Sequence, residues 1–233
     1  MNGTNSPTFV LTADQDWAPE WACEYFVKLL SDNRLIAHVF RTSRSEALDY
    51  AVDTGLITNG WHPNFKRGSS HGLDIAEVID TMMELFPGCT TVRAHSYFES
   101  SETWKMLKHA GITVESHGPT DMEENLMPLR MMSGLTRLPV YLEDDVHLIG
   151  ESRQKSLKRF IRNIGVPGLK ILDFHPIHLA LNTPSLEHYD EFKRDPQGMS
   201  DTHGQSGVRD AFLEIVQIMR LSGLEFSPIL KLI

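Results

Sequence analysis

Apolar runs of strand length alternate along the chain with segments whose apolar residues recur every three or four positions, and that alternation predicts strands and helices in turn. The first run is Phe9-Val-Leu-Thr-Ala-Asp14-Gln-Asp16-Trp17; Pro19 then opens a helix carrying Trp21, Tyr25, Phe26, Leu29 and Leu30 on one face. A second strand over 34–41 leads to a helix over 45–52 closed by Gly55. A third strand, 56–65, carries His62 at its end, where Pro63 stops the ladder because it has no N–H to donate. After the loop 66–72, Ile75, Val78, Ile79, Met82, Met83 and Phe86 share a helical face, and Asp74 suits the positive end of that helix. A fourth strand over 90–97 would set Arg93, His95 and Tyr97 on one face. A helix over 101–110, capped by Gly111, precedes a fifth strand over 112–117. Residues 119–135 are irregular and methionine-rich, and read as a loop or short helix over the mouth of the fold. A sixth strand, 138–145, runs from apolar to acidic. The helix over 152–164 is basic, a solvated face or, alternatively, a groove for phosphate or polyanion. A seventh strand over 169–178 meets Pro176. Helices over 186–194 and 207–221 flank a polar loop, 195–205, and the tail from Glu225 is a short strand or docking arm.

About seven strand–helix units with short connections imply one domain over 1–233, built on a mainly parallel sheet with helices outside it. In such folds the site gathers at the carboxyl ends of the strands. Those ends supply Asp14 and Asp16, His62, Arg93 and His95, Asp144 and Asp145, and His175. Strand alternation would point Asp14 and Asp16 the same way, and two like charges held close persist mainly with a cation between them or a shifted pKa. An isolated Asp-x-Asp is equally a solvated turn, and an isolated histidine is more often structural than a ligand. Five of the seven strands ending in such residues favours a shared site. Imidazoles with carboxylates are the ligand set for zinc or a similar divalent ion, in a site left open for water, with a further carboxylate and histidine free as base and acid.

Composition narrows the partners. A net charge of -9 argues against general affinity for nucleic acid or anionic membrane, which needs clustered Lys and Arg. No run approaches the roughly 20 apolar residues of a membrane helix, and residues 1–7 lack the basic and apolar regions of a signal peptide. Cys23 and Cys89 cannot form a disulfide framework and read as packed thiols, so a cytoplasmic, reducing location is expected.

The order of these motifs resembles the NodB-homology polysaccharide deacetylases, and more closely a divergent branch associated with bacterial surface-polysaccharide gene clusters. The resemblance implies an α/β fold, a distorted (β/α)7 barrel. It implies a metal-dependent hydrolase that removes an acetyl group, most simply from nitrogen, from a carbohydrate or sugar-containing precursor. Leu11-Thr-Ala-Asp14-Gln-Asp16 is similar to the family's opening motif, which makes Asp14 the base and Asp16 a metal ligand, with the opposite assignment open because Gln15 separates them. Gly60-Trp-His62-Pro-Asn64 is similar to the second motif, whose histidine binds metal; a second histidine expected four residues later is Lys66 here. His95 or His71 must then complete the ligand set, and His95 is preferred because a strand end is better fixed than a glycine-flanked loop. Arg93-Ala-His95-Ser-Tyr97 stands in place of the arginine-bearing third motif. Glu143-Asp144-Asp145 stands where an acidic motif orients catalytic groups, the assignment falling on Asp145, and Phe174-His175-Pro resembles the closing motif whose histidine is the acid. The competing readings are a haloacid-dehalogenase-type phosphohydrolase, which also opens on Asp-x-Asp and uses magnesium, and a degenerate, non-catalytic glycan-binding barrel.

Overall fold

In the computed structural model, which describes residues 6–196 and 205–232, one mixed sheet runs through the molecule. Its strands are β1 (Pro7–Asp14), β2 (Ala37–Arg41), β3 (Ile57–Trp61), β4 (Thr91–Val92), β5 (Val114–Glu115), β6 (Leu129–Arg130), β7 (Thr136–Arg137), β8 (Val140–Glu143) and β9 (Gly168–Phe174), in the order β6-β7-β5-β4-β3-β2-β1-β9-β8. Every described pairing is parallel except β6 with β7. The seven expected strands are β1 to β5, β8 and β9. The β6–β7 hairpin occupies the segment expected to be a loop or short helix, and two-residue strands are too short for alternation to betray them. An isolated bridge between Pro119 and Val140, with the Thr120 N–H donating to the Val140 carbonyl at 3.0 Å, curls the β5 side toward β8. The result is a half-barrel.

The helices are α1 (Glu20–Asp32), α2 (Glu46–Asp53), α3 (Ile75–Leu85), α4 (Ser101–His109), α5 (Asp144–His147), α6 (Ser152–Asn163), α7 (Pro176–Leu181), α8 (Leu186–Arg194) and α9 (Val208–Leu221). Asp74 caps α3 by accepting the Glu77 N–H at 3.0 Å. The buried face of α1 is Ala22, Cys23, Phe26, Leu29 and Leu30; Trp21, expected in that stripe, is exposed and meets the Phe192 ring edge-on. Pro176 is the first residue of α7, so the seventh strand ends at Phe174 and His178 is helical. The polar loop 195–205 lies mostly outside the described residues. No described helix is long and apolar enough to cross a membrane.

Alternation along β1 and β9 separates two environments. Phe9, Leu11 and Ala13, with Leu172 and Phe174, belong to the main core shared with α1, α7 and α9. Val10, Leu169 and Ile171 belong to a smaller cluster with Phe40, Leu138 and Val140, into which Ile229 of the tail packs. Two residues further toward the carboxyl ends, this inner face turns polar: Val10 gives way to Thr12 and Asp14, and Ile171 to Asp173 and His175. The functional residues stand on that apolar floor.

Candidate active site

β1 ends at Asp14, and the chain then turns through left-handed backbone at Asp16 (φ 45°) and Trp17 (φ 53°). Left-handed conformation at non-glycine residues is strained and is retained where the surroundings fix it. Here the fixing group is Gln15, whose buried amide oxygen accepts the N–H groups of Thr42 at 3.0 Å and Ser43 at 3.1 Å. The expected strand alternation of Asp14 and Asp16 is therefore replaced by a turn, and the two carboxylates approach His62 from either side. Asp16 Oδ1 lies 2.9 Å from His62 Nε2, and Asp14 Oδ1 lies 3.6 Å from His62 Nδ1.

His62 follows β3, its N–H donating to Arg41 O at 2.8 Å, and His95 is held by its N–H on Pro63 O at 2.9 Å. The fourth strand is shorter than expected. It stops at Val92, and left-handed residues Ser96 and Tyr97 break the anticipated common face of Arg93, His95 and Tyr97. His95 Nδ1 reaches the same Asp16 oxygen at 2.8 Å, so one carboxylate oxygen and two imidazole nitrogens converge. Burial by itself would raise the Asp16 pKa, but the contacts with His62 and His95 hold it far below the carboxylate range. A half-buried anionic oxygen facing two neutral-capable imidazoles is a donor set that fits a divalent ion. His71, the alternative ligand, has both nitrogens engaged: Nδ1 accepts the Asn64 N–H at 3.1 Å, and Nε2 meets the Thr42 carbonyl at 2.8 Å.

Below this cluster lies an ionic layer that sequence reasoning saw only in part. Arg93 is fully buried over the Phe40 ring, and its guanidinium donates to Asp14 Oδ1 (2.9 Å), Asp173 Oδ1, Thr12 Oγ1 (3.1 Å), and the carbonyl (2.9 Å) and hydroxyl (2.8 Å) of Ser116. Asp173 escaped notice, although an acid in the apolar run Leu169–Phe174 had to find a partner inside. It stands opposite Thr12 in the β1–β9 register. Burial, countered by Arg93, pushes the Asp14 carboxyl up to about 6.

His175 N-caps α7, with its N–H donating to Asp144 Oδ2 at 2.8 Å and its Nδ1 2.7 Å from Asp144 Oδ1; Nε2 then faces Asp16 Oδ2 at 3.7 Å. Burial lowers the His175 pKa, but the carboxylates of Asp144, Asp16 and Asp173 together outweigh it and leave it well above 6.5. The acid that grips His175 is therefore Asp144, whereas Asp145, expected in that role, makes neither contact and has a buried Oδ1 without a partner. Because α5 begins at Asp144, one helical step separates the two side chains by about 100°.

This disposition of a histidine pair, two aspartates and a terminal histidine at the carboxyl ends of a half-barrel can be set beside known proteins. The sequence model of WbmS-like polysaccharide deacetylases matches residues 11–193. The chain belongs to that family. A WbmS structure from Bordetella bronchiseptica, described as a polysaccharide deacetylase involved in O-antigen biosynthesis, is 24% identical, with a TM-score of 0.75 over 90% of this chain and 89% of that one. A family 4 carbohydrate esterase from Streptomyces lividans, solved with acetate, is 13% identical, with a TM-score of 0.52 over 98% of this chain and 93% of that one. A mutant of a family 4 pseudoenzyme is also 13% identical, with a TM-score of 0.51 over 97% of this chain and 66% of that one, so the shared fold does not by itself imply turnover. A search of curated protein sequences finds no match.

In this WbmS-like chain a further histidine steadies the segment from Arg93 to His95. His117 Nε2 accepts the Ala94 N–H at 3.0 Å, its Nδ1 is 2.6 Å from Glu115 Oε2, and Arg137 Nε donates to Glu115 Oε1 at 2.5 Å. Replacing His117 with Phe should strand the Ala94 N–H and weaken the affinity of the Asp16, His62 and His95 cluster for an added divalent ion about tenfold, the lower end of the usual cost of losing an outer support of a ligand. Competition with a fluorescent zinc chelator measures this, and unchanged affinity would show that the support is dispensable.

Proposed function

We propose that the chain is a metal-dependent hydrolase that removes an acetyl group, most simply from nitrogen, from a carbohydrate or sugar-containing precursor. The observation that carries this reading is the convergence of Asp16, His62 and His95 on one point, flanked by Asp14 and His175. A divalent ion bound there, zinc by the donor set, would polarise an amide carbonyl and acidify water. Asp14 accepts the proton of the attacking water, being ionised at neutral pH yet basic enough with a pKa near 6. Arg93 is a positioning residue that keeps this carboxylate in place. As the water oxygen bonds to the carbonyl carbon and the C–N bond breaks, His175 Nε2 donates a proton to the departing nitrogen. Acetate and a free amine result. Asp144 keeps the opposite ring nitrogen occupied and the imidazole protonated at neutral pH.

The O-antigen role described for the Bordetella relative supports a bacterial surface polysaccharide, or its precursor, as the material acted on. A phosphohydrolase would use Asp14 as a nucleophile, but that carboxylate is already engaged by Arg93, and such chemistry leaves His62, His95 and His175 without work. The reading is tested with the zinc-loaded protein, an oligomer of N-acetylglucosamine and p-nitrophenyl phosphate. Equal amounts of acetate and new amine, with no phosphate, are expected. Phosphate without acetate would overturn the proposal in favour of the phosphohydrolase, and binding of the oligomer without either product would favour a glycan-binding barrel.

The pH profile follows from the same groups. The base must be ionised, so kcat/KM rises with pH through about 6; the acid must be protonated, so kcat/KM falls again through the elevated pKa of His175. Asp144→Asn removes the charge that favours the imidazolium. The alkaline limb should then move to lower pH while the acid limb stays, and a profile in which both limbs hold their positions would remove Asp144 from this role.

A further inference from the structure

A second hollow opens beside the proposed catalytic groups. This cavity of about 570 Å³ is lined by the turn after β4, the segment after β5, the end of β8, and helices α5 and α6. Glu143 joins it to the site, since it lines the cavity and its carboxylate lies within 4.8 Å of a His175 ring nitrogen. One sugar residue can cover that separation. Tyr97, two residues beyond His95, also lines the cavity, while its buried hydroxyl lies on the side of the ionic layer of Arg93, Asp173 and Asp14.

The charge of the cavity comes from α6. Lys155 and Arg159 are one turn apart and both line it. Lys155 is exposed, with no hydrogen bond or ion pair to any described residue, while Arg159 uses Nη1 on Asp121 Oδ2 at 2.8 Å and keeps other N–H groups for a ligand. The helix carries five basic residues and no acid, in a chain whose net charge is -9. An anion repelled by the molecule as a whole would be drawn to this wall. Of the two carboxyl groups lining the cavity, Asp121 is paired with Arg159. Glu143 is pushed up to about 8 by burial and then by its acidic neighbours Asp145 and Asp173, so at neutral pH it is a donor that does not oppose an anion.

We propose that this cavity binds an anionic oxygen group, a carboxylate or a phosphate carried by the sugar substrate, through Lys155 and Arg159. The inference deepens the deacetylase reading and rests on it for the acetylated end of the ligand; anion binding is read separately from turnover. A solvated basic face does not account for two basic side chains at the wall of a cavity that Glu143 joins to the proposed catalytic groups.

The test is calorimetric binding to the full zinc-loaded chain of three probes: neutral methyl N-acetylglucosaminide, N-acetylglucosaminuronic acid and UDP-N-acetylglucosamine. At least one anionic probe should bind about tenfold or more tighter than the neutral one, as charge-assisted hydrogen bonds allow. The tighter of the two identifies the source as carboxylate or diphosphate. The preference should fall to about twofold or less in Lys155→Gln/Arg159→Gln, and should survive in Lys158→Gln, which removes a positive charge from the same helix outside the cavity. No binding of either anionic probe, equal affinity for charged and neutral probes, or a preference unchanged in the double variant would each overturn the proposal. Because binding is measured directly, a chain that bound the anionic probes but released no acetate would defeat the deacetylase reading alone.

Discussion

Asp14→Asn should lower kcat for acetate release by about 10²–10⁴-fold, the range expected for loss of a general base, while zinc binding stays within about twofold of the parent. The dissociation of the two effects follows from geometry. Asp16 supplies the carboxylate oxygen of the proposed metal site, at 2.8–2.9 Å from the two imidazoles, whereas Asp14 faces the far nitrogen of His62 at 3.6 Å and is gripped from the other side by Arg93. Asn has almost the volume of Asp and can still accept from Arg93, so the loss should sit in proton transfer. The acid limb near pH 6 should vanish with it. The reciprocal variant, Asp16→Asn, should lose zinc first. If Asp14→Asn retained turnover and Asp16→Asn retained zinc, the two roles would be exchanged, a possibility the sequence left open because Gln15 separates the pair.

The second large effect is on stability. Arg93→Met should destabilise the fold by about 3–5 kcal/mol at neutral pH, because removing one partner of a buried ion pair leaves the other charged and unsatisfied. Two carboxylates, Asp14 and Asp173, share this guanidinium, and both are buried. The pH dependence has a definite sign. Without Arg93 the folded-state pKa of Asp14 rises further above 3.8, so the folded state holds a proton that the unfolded state releases. The deficit is therefore small below about 6, where both folded states hold the proton, grows as pH rises from there through the further raised pKa of the variant, and is complete above it. Urea denaturation of parent and variant at pH 5 and pH 8 measures this, and a loss that is equal at the two values would place the cost in packing over Phe40 instead.

The fold was legible wherever apolar runs were long enough to carry periodicity. β1, β2, β9, α1, α3, α6 and α9 lie close to their expected places, and the parallel architecture follows from their alternation. The reading failed where structure is set by contacts across the sheet. β4 pairs for two residues because Ser96 and Tyr97 turn left-handed, and the β6–β7 hairpin is too short to alternate. In the site, residues at strand ends were found because a charged group after an apolar run is conspicuous. Asp16, His62 and His95 come together as expected, but through a turn fixed by Gln15, a residue first regarded as an interruption. The choice between Asp144 and Asp145 depends on helical phase at the first residue of α5, which two consecutive acids do not reveal. His117 and Ser116 act through Ala94 and Arg93, which are distant in sequence, so only the folded chain displays them.

In the proposed mechanism Asp16, His62 and His95 hold the metal on which deacetylation depends. Crystals of the zinc-loaded protein, measured on both sides of the zinc absorption edge, locate the ion directly. One strong anomalous peak is expected about 2.0–2.2 Å from a carboxylate oxygen of Asp16 and from ring nitrogens of His62 and His95. A peak held instead by Asp144, His175 and His178, whose donor atoms also cluster, or no peak at the predicted position, would contradict it.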